Sequence, residues 1–320
     1  MQNRLWNQKR RFQLRDFSVT HGRRKRTKPR SHLLWRERRG ALDTVQLKRV
    51  LSIVVGVFGG FGGLLAADAS SDSAPAGANP AAQRSTWNGF ERIDFTFEGR
   101  PAILVQPAEA APGRPWIWRT EFFGHEPQVD LALLARGWHV AYLNAKDMYG
   151  GPKSMRLFGQ FYAHLVAQAQ LAQRVVLEGF SRGGLYAVNF AASHPTRVAA
   201  LYLDAPVLDI RSWPGRNRAS KEWAQCLEAY GLTEQSLPSF RGNPIDRVAQ
   251  VARGGVPVIA VCGDADDVVP FAENTGILER RYRELGGTIE VVLKPGVGHH
   301  PHSLKDPAPV VEFLMRNAKF

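Results

Sequence analysis

The chain has 320 residues, 44% of them hydrophobic, which is enough for one large core or two small ones. A formal net charge of +13 points at first to a polyanionic partner. Of 42 basic and 29 acidic residues, however, 16 and 3 lie within residues 1–50, leaving 26 of each sign elsewhere, so the body is not expected to bind nucleic acid.

Residues 1–50 read as a basic leader outside any packed fold. Arg10-Arg11-Phe12 has a twin-arginine look but lies too far from the apolar run that follows. The stretch fits a start site assigned too early, with the true start near Val45, or else a disordered basic tail. Leu51–Ala67, "LSIVVGVFGGFGGLLAA", is apolar, uncharged and rich in glycine. It follows Lys48-Arg49 and leads into Ala67-Asp68-Ala69, a small-residue cleavage pattern. Residues 51–69 are therefore expected to form a secretory signal peptide. The alternatives are a retained anchor, since about 17–25 apolar residues span a bilayer, or a buried core helix. The expected location is the periplasm or the exterior, with membrane contact only if the leader is retained. Residues 70–87, rich in Ser, Ala and Pro, read as a flexible linker, and the folded body as 88–320. Cys226 and Cys262 make no disulfide framework, and no CxxC zinc spacing is present.

Along the body, residues 92–107 alternate apolar positions about a turn at Glu98-Gly99-Arg100, a hairpin signal. A third strand is expected in "RPWIWRTEFFGH", then a helix over 128–136 stopped by Gly137. A strand at 138–144, a helix at 154–171 and a strand at 174–179 follow. The next helix runs to His194-Pro195, and a strand covers 198–206. After an irregular insertion, a strand at 257–264, a helix at 271–285, a strand at 288–296 and a helix at 308–318 close the chain. Strands alternating with helices predict an α/β fold. Its sheet would be mostly parallel with helices on both faces, and the antiparallel hairpin would lie at one edge.

Between the strand at 174–179 and its helix lies Gly179-Phe180-Ser181-Arg182-Gly183, a G-x-S-x-G turn. Such a turn exposes the serine hydroxyl at the top of the sheet and aims the Arg182 N–H at a developing oxyanion. The bland reading is a glycine-rich turn with an incidental serine. A serine nucleophile needs a base and an orienting acid. Asp266 in "GDADDVVP" is the expected acid, with Asp264 and Asp267 as turn formers and Asp204 as the alternative acid. His299 in "GVGHHPHS" is the expected base, with His300 and His302 as alternatives. The same histidines and aspartates are metal-ligand types. A metal reading leaves Ser181 without a purpose, so no metal and no cofactor are expected. The Thr120 or Glu121 N–H is the expected second oxyanion donor. Arg119 and Glu121 either brace the loop as an ion pair or meet substrate. Phe122 and Trp213 are further substrate-binding candidates, Trp213 alternatively packing the insertion with Trp223.

With these segments the chain resembles the α/β-hydrolase superfamily from about residue 90 to 320. It is most similar to exported bacterial esterase-like members sharing stretches such as "WRTEFFGHEP" and "DAPVLDIRSWPG". More distantly it is similar to prolyl oligopeptidase-type catalytic domains. The resemblance implies an α/β-hydrolase fold with a small cap at about 206–243, and a catalytic Ser181, Asp266 and His299. The HGGG loop of lipases is missing, which weakens any carry-over from them. The expected function is an exported serine hydrolase cleaving carboxylic esters, small or glycan-borne, through an acyl-enzyme on Ser181. One rival is a prolyl-oligopeptidase-like peptidase, against which stands the lack of a propeller-sized N-terminal region. The other is a non-catalytic hydrolase-fold binding protein, which predicts a lost triad member.

Overall fold

The computed structural model describes residues 82–320. The expected leader (1–50), signal peptide or anchor (51–69) and linker as far as residue 81 lie outside the described residues. The linker does not reach residue 87 as expected. Strand β1 (Gln83–Trp87) pairs antiparallel with β2 (Phe90–Phe97), Gln83 opposite Asp94 and Trp87 opposite Phe90. Polar "QRST" hides this strand because an exposed edge needs only backbone pairing, not apolar side chains. From β2 the chain turns at Glu98 and Gly99, with φ of +47° and +72°, into β3 (Arg100–Gln106). Two successive positive φ values match the right-handed twist of a tight hairpin.

Six further strands follow: β4 (Trp116–Arg119), β5 (His139–Leu143), β6 (Val175–Phe180), β7 (Val198–Asp204), β8 (Val258–Gly263) and β9 (Ile289–Lys294). The sheet order is β1-β2-β3-β5-β4-β6-β7-β8-β9. Pairing is antiparallel from β1 to β5 and parallel from β5 to β9. The helices are α1 (Gln128–Leu134), α2 (Pro152–Gln168), α3 (Gly183–Ser193), α4 (Lys221–Tyr230), α5 (Val248–Arg253), α6 (Thr275–Glu284) and α7 (Ala308–Asn317).

Alternate strand residues feed two cores. Trp116, Trp118, Leu177 and Leu203 pack with Phe158 and Phe161 of α2 and Phe190 of α3. Ile117, Val176, Tyr202 and Ile259 pack on the opposite face with Leu133 of α1 and Phe313 of α7. Burial on both faces explains why these strands are continuous apolar runs in sequence. This is the α/β-hydrolase fold. Among the described residues no helix is long and apolar enough to cross a membrane.

The insertion expected to be irregular holds α4. Ser220 accepts the Trp223 N–H at 3.1 Å to begin it, and Gly231 at φ +66° ends it. All parallel strands deliver their C-terminal ends to one edge of the sheet, where α/β proteins build their sites.

Candidate active site

Strand β6 ends at Phe180, and α3 begins at Gly183, so the chain reverses within two residues. Ser181 sits at the reversal with φ +48°. That left-handed conformation is sparse for a residue with a Cβ. Three hydrogen bonds hold it: Ser181 N–H donates to Asp204 O (2.8 Å), while Ser181 O accepts from Gly184 N (3.0 Å) and Val207 N (2.8 Å). Glycines near the turn leave little room for side chains. A Cβ on Gly179 would lie 3.1 Å from Gly183 O, and one on Gly184 would lie 2.6 Å from the Pro206 Cβ.

Ser181 Oγ lies 3.0 Å from His299 Nε2, and His299 Nδ1 lies 2.7 Å from Asp266 Oδ2. The carboxylate accepts, so Nδ1 carries the proton and Nε2 is left to accept from the serine hydroxyl. Asp266 is buried. Its Oδ1 accepts the Val268 and Val269 N–H groups at 3.0 and 2.8 Å. Burial pushes its carboxyl up, but the hydrogen bond from His299 and these N–H groups outweigh that and hold it below the usual carboxylate range. Asp264 accepts the Gly296 N–H at 2.7 Å, tying the turn after β8 to the loop after β9, while Asp267 lines the cavity.

The alternatives go elsewhere. Asp204 and His302 pair with each other, Oδ1 to Nδ1 at 2.9 Å. Asp204 Oδ2 is taken by the Ser303 N–H at 2.8 Å and the Tyr202 hydroxyl at 3.3 Å. His300 is exposed and sits edge-on to His302 at 4.7 Å between ring centroids.

Of the oxyanion candidates, Thr120 is corrected. Its N–H donates to Glu178 O at 2.9 Å, extending the β4–β6 ladder, and is spent. The Arg182 and Glu121 N–H groups donate to nothing among the described residues. Glu121 N lies 3.8 Å from where a Gly183 Cβ would stand, beside the start of α3.

Arg119 as a substrate contact is also corrected. It is fully buried, bonded through NH1 to Asp130 Oδ2 at 2.8 Å and paired through NH2 with Glu178 Oε1 at 3.1 Å. Burial opposes its charge, but the Asp130 and Glu178 carboxyls outweigh burial and keep the guanidinium protonated. Nor does Arg119 pair with Glu121. That carboxylate takes Arg182 NH2 at 3.2 Å instead. Burial raises the Glu121 carboxyl, and Arg182 pulls it part of the way back.

Ser181 opens on a cavity of about 610 Å³. Phe122 and Trp213, both expected to meet substrate, line it, together with Arg182, Arg216 and Glu222. The Arg182 guanidinium lies over the Phe122 ring at 5.2 Å, and Trp213 stacks on Tyr149 at 6.2 Å. Trp223 instead is buried and donates its indole N–H to Glu234 Oε1 at 2.5 Å, so it packs the insertion. The wall residues Glu222 and Val268 carry no sequence pattern that would have singled them out. A hydroxyl bonded to an imidazole that a carboxylate orients can lose its proton as it attacks an acyl carbon. Two free N–H groups beside it can take up the oxyanion.

A model of the prolyl oligopeptidase family matches residues 154–319, a little over half of the chain. No curated protein matches it. Among solved structures, a Pyrococcus horikoshii acylaminoacyl peptidase is 14% identical with a TM-score of 0.54, covering 72% of this chain and 42% of its own. A puromycin-hydrolyzing peptidase of Mycobacterium tuberculosis is 16% identical with a TM-score of 0.53, covering 67% of this chain and 36% of its own. An S-formylglutathione hydrolase from Agrobacterium tumefaciens is 15% identical with a TM-score of 0.52, covering 72% of this chain and 94% of its own. The chain thus spans less than half the length of these two peptidases. At such identities the likeness is one of fold.

Proposed function

The chain belongs to the prolyl oligopeptidase family and is a serine hydrolase; on that premise we propose that it cleaves carboxylic esters through an acyl-enzyme on Ser181. The observation that carries this reading is the unbroken chain Ser181 Oγ–His299–Asp266, at 3.0 and 2.7 Å, opening on the cavity. Ser181 Oγ attacks the ester carbonyl carbon while His299 Nε2 takes its proton. Asp266 keeps the imidazole in the tautomer that accepts there and stabilises the imidazolium. The Arg182 and Glu121 N–H groups receive the carbonyl oxygen as it becomes an oxyanion. His299 then gives its proton to the leaving alkoxide. Water, deprotonated by the same imidazole, releases the acid and restores Ser181.

Aromatic Phe122 and Trp213 beside Ser212 and Asn217 give the cavity both apolar and hydrogen-bonding walls. That lining suits a polar alcohol such as an acylated sugar. A second reading, peptide cleavage, draws on the family match. It also draws on Glu222 and Asp267, two cavity carboxylates in no ion pair among the described residues, which suit a protonated amine. We also propose export, supported by the apolar segment 51–67. N-terminal sequencing of the secreted chain is expected to read from Ser70.

The test is a panel of acetylated glycans, p-nitrophenyl esters and aminoacyl or dipeptidyl p-nitroanilides. Esters are expected to turn over at least about tenfold faster in kcat/KM, a difference of about 1.4 kcal/mol. Faster anilide cleavage would move the assignment to the peptidase.

A further inference from the structure

Four histidines meet at the rim of the site, and their ring nitrogens are not equivalent. His299 has both nitrogens engaged, by Ser181 and Asp266. His125, His300 and His302 each offer a ligand atom, and these three atoms lie within 4.8 Å of one another. His125 comes from the loop after β4, and His300 and His302 come from the loop after β9. The fold brings them together across the sheet's edge, with His125 and His302 ring centroids 5.9 Å apart.

His302 is the built member of the set. Its side chain is 3% exposed and its Nδ1 is held at 2.9 Å by Asp204 Oδ1. Asp204 is itself fully buried, with its other oxygen bonded to Ser303 N–H and the Tyr202 hydroxyl. A carboxylate behind a histidine fixes the tautomer and leaves Nε2 bare, as in many metal centres. Glu126 adds a second nearby carboxylate. Its Oε1 accepts the His302 N–H at 3.2 Å and lies 3.5 Å from His125 Nε2. Both flanking ligands, His125 and His300, are exposed.

We propose that His125, His300 and His302 form a binding site for a divalent transition ion of the zinc class, with Asp204 as the carboxylate that orients His302. Nitrogen ligands at about 2.0–2.1 Å from a tetrahedral zinc are about 3.3 Å apart. Small rotations of the two exposed rings close that gap. Imidazole donors suit zinc, nickel and copper, and three of them leave a fourth position for water. The sequence alone predicts no metal, because a metal role for these histidines leaves Ser181 without a purpose. The geometry removes that conflict, since the ligand set uses neither His299 nor Asp266.

The test titrates Zn²⁺ into the metal-free full chain against a chromophoric zinc chelator and records the Co²⁺ visible spectrum in parallel. One equivalent is expected to bind, with Co²⁺ giving the visible bands of a four-coordinate nitrogen site. His125→Ala is expected to weaken binding by about 100-fold, since losing a ligand costs at least as much as losing its orienting partner. His125→Cys, which keeps a ligand, is expected to retain binding. Thermal unfolding confirms that both variants are folded. Absence of stoichiometric binding, or equal binding by folded His125→Ala, overturns the site.

Discussion

Ser181 is held in a left-handed backbone conformation by groups on both sides of it, Asp204 O and the N–H groups of Gly184 and Val207. Its strain is therefore fixed by the fold. In the reaction Asp266 acts through His299, and an asparagine keeps the Oδ1 that accepts the Val268 and Val269 N–H groups, so Asp266→Asn separates orientation from binding. Asp266→Asn is expected to lower kcat by about 10⁴-fold through the wrong imidazole tautomer. KM should change little, as steady-state kinetics on a p-nitrophenyl ester will show. Ser181, Asp266 and His299 were legible in sequence because each follows a strand that reads as an apolar run, in the order serine, acid, histidine. The environment of Arg119 was not. Its carboxyl partners lie at Asp130 and Glu178, on a helix and on a neighbouring strand, and only the sheet order makes them adjacent. Position alone makes Thr120 a candidate oxyanion donor, and it cannot tell that the β4–β6 ladder consumes its N–H.

The loops after β8 and β9 must stay in register for Asp266 to reach His299. Gly263, at the end of β8, is one of the places where they touch. A Cβ there would stand 2.1 Å from Val297 O and 2.4 Å from Gly298 O. Gly263→Ala is therefore expected to push the His299 loop away and to cost about 1–3 kcal/mol of overpacking. Activity should fall well beyond the loss explained by unfolding. Urea denaturation beside kcat separates the two effects, and an unchanged kcat in this variant would contradict the coupling. Elements were legible where periodicity was strong, as in the buried strands and α2. They were missed where polarity masked them, as in β1. For α4, the serine cap and terminal Gly231 were present in the sequence and mark both ends.

At the scale of the molecule, a buried charge cluster of Arg119, Asp130 and Glu178 sits on the sheet face that carries Ile117 and Val176. Burial, with Asp130 adding to it, raises the Glu178 carboxyl well above its ordinary 4.5, against the pull of Arg119. A raised folded pKa favours the protonated fold, so this stability is fully present below about 4.5 and is lost as pH rises through the folded value. Glu178→Gln cannot ionise and so removes this pH dependence. It should gain stability relative to the parent as pH rises above about 4.5. Denaturant titrations of both proteins across that range check the sign, and a pH-independent difference would contradict it. The proposed reaction turns on one nucleophile, Ser181, and a fluorophosphonate probe tests it most directly. Peptide mass mapping should find one adduct per chain, on Ser181, and none on folded Ser181→Ala, which should also lose p-nitrophenyl acetate turnover. An unlabelled Ser181 in the folded parent, or full turnover by Ser181→Ala, would contradict it.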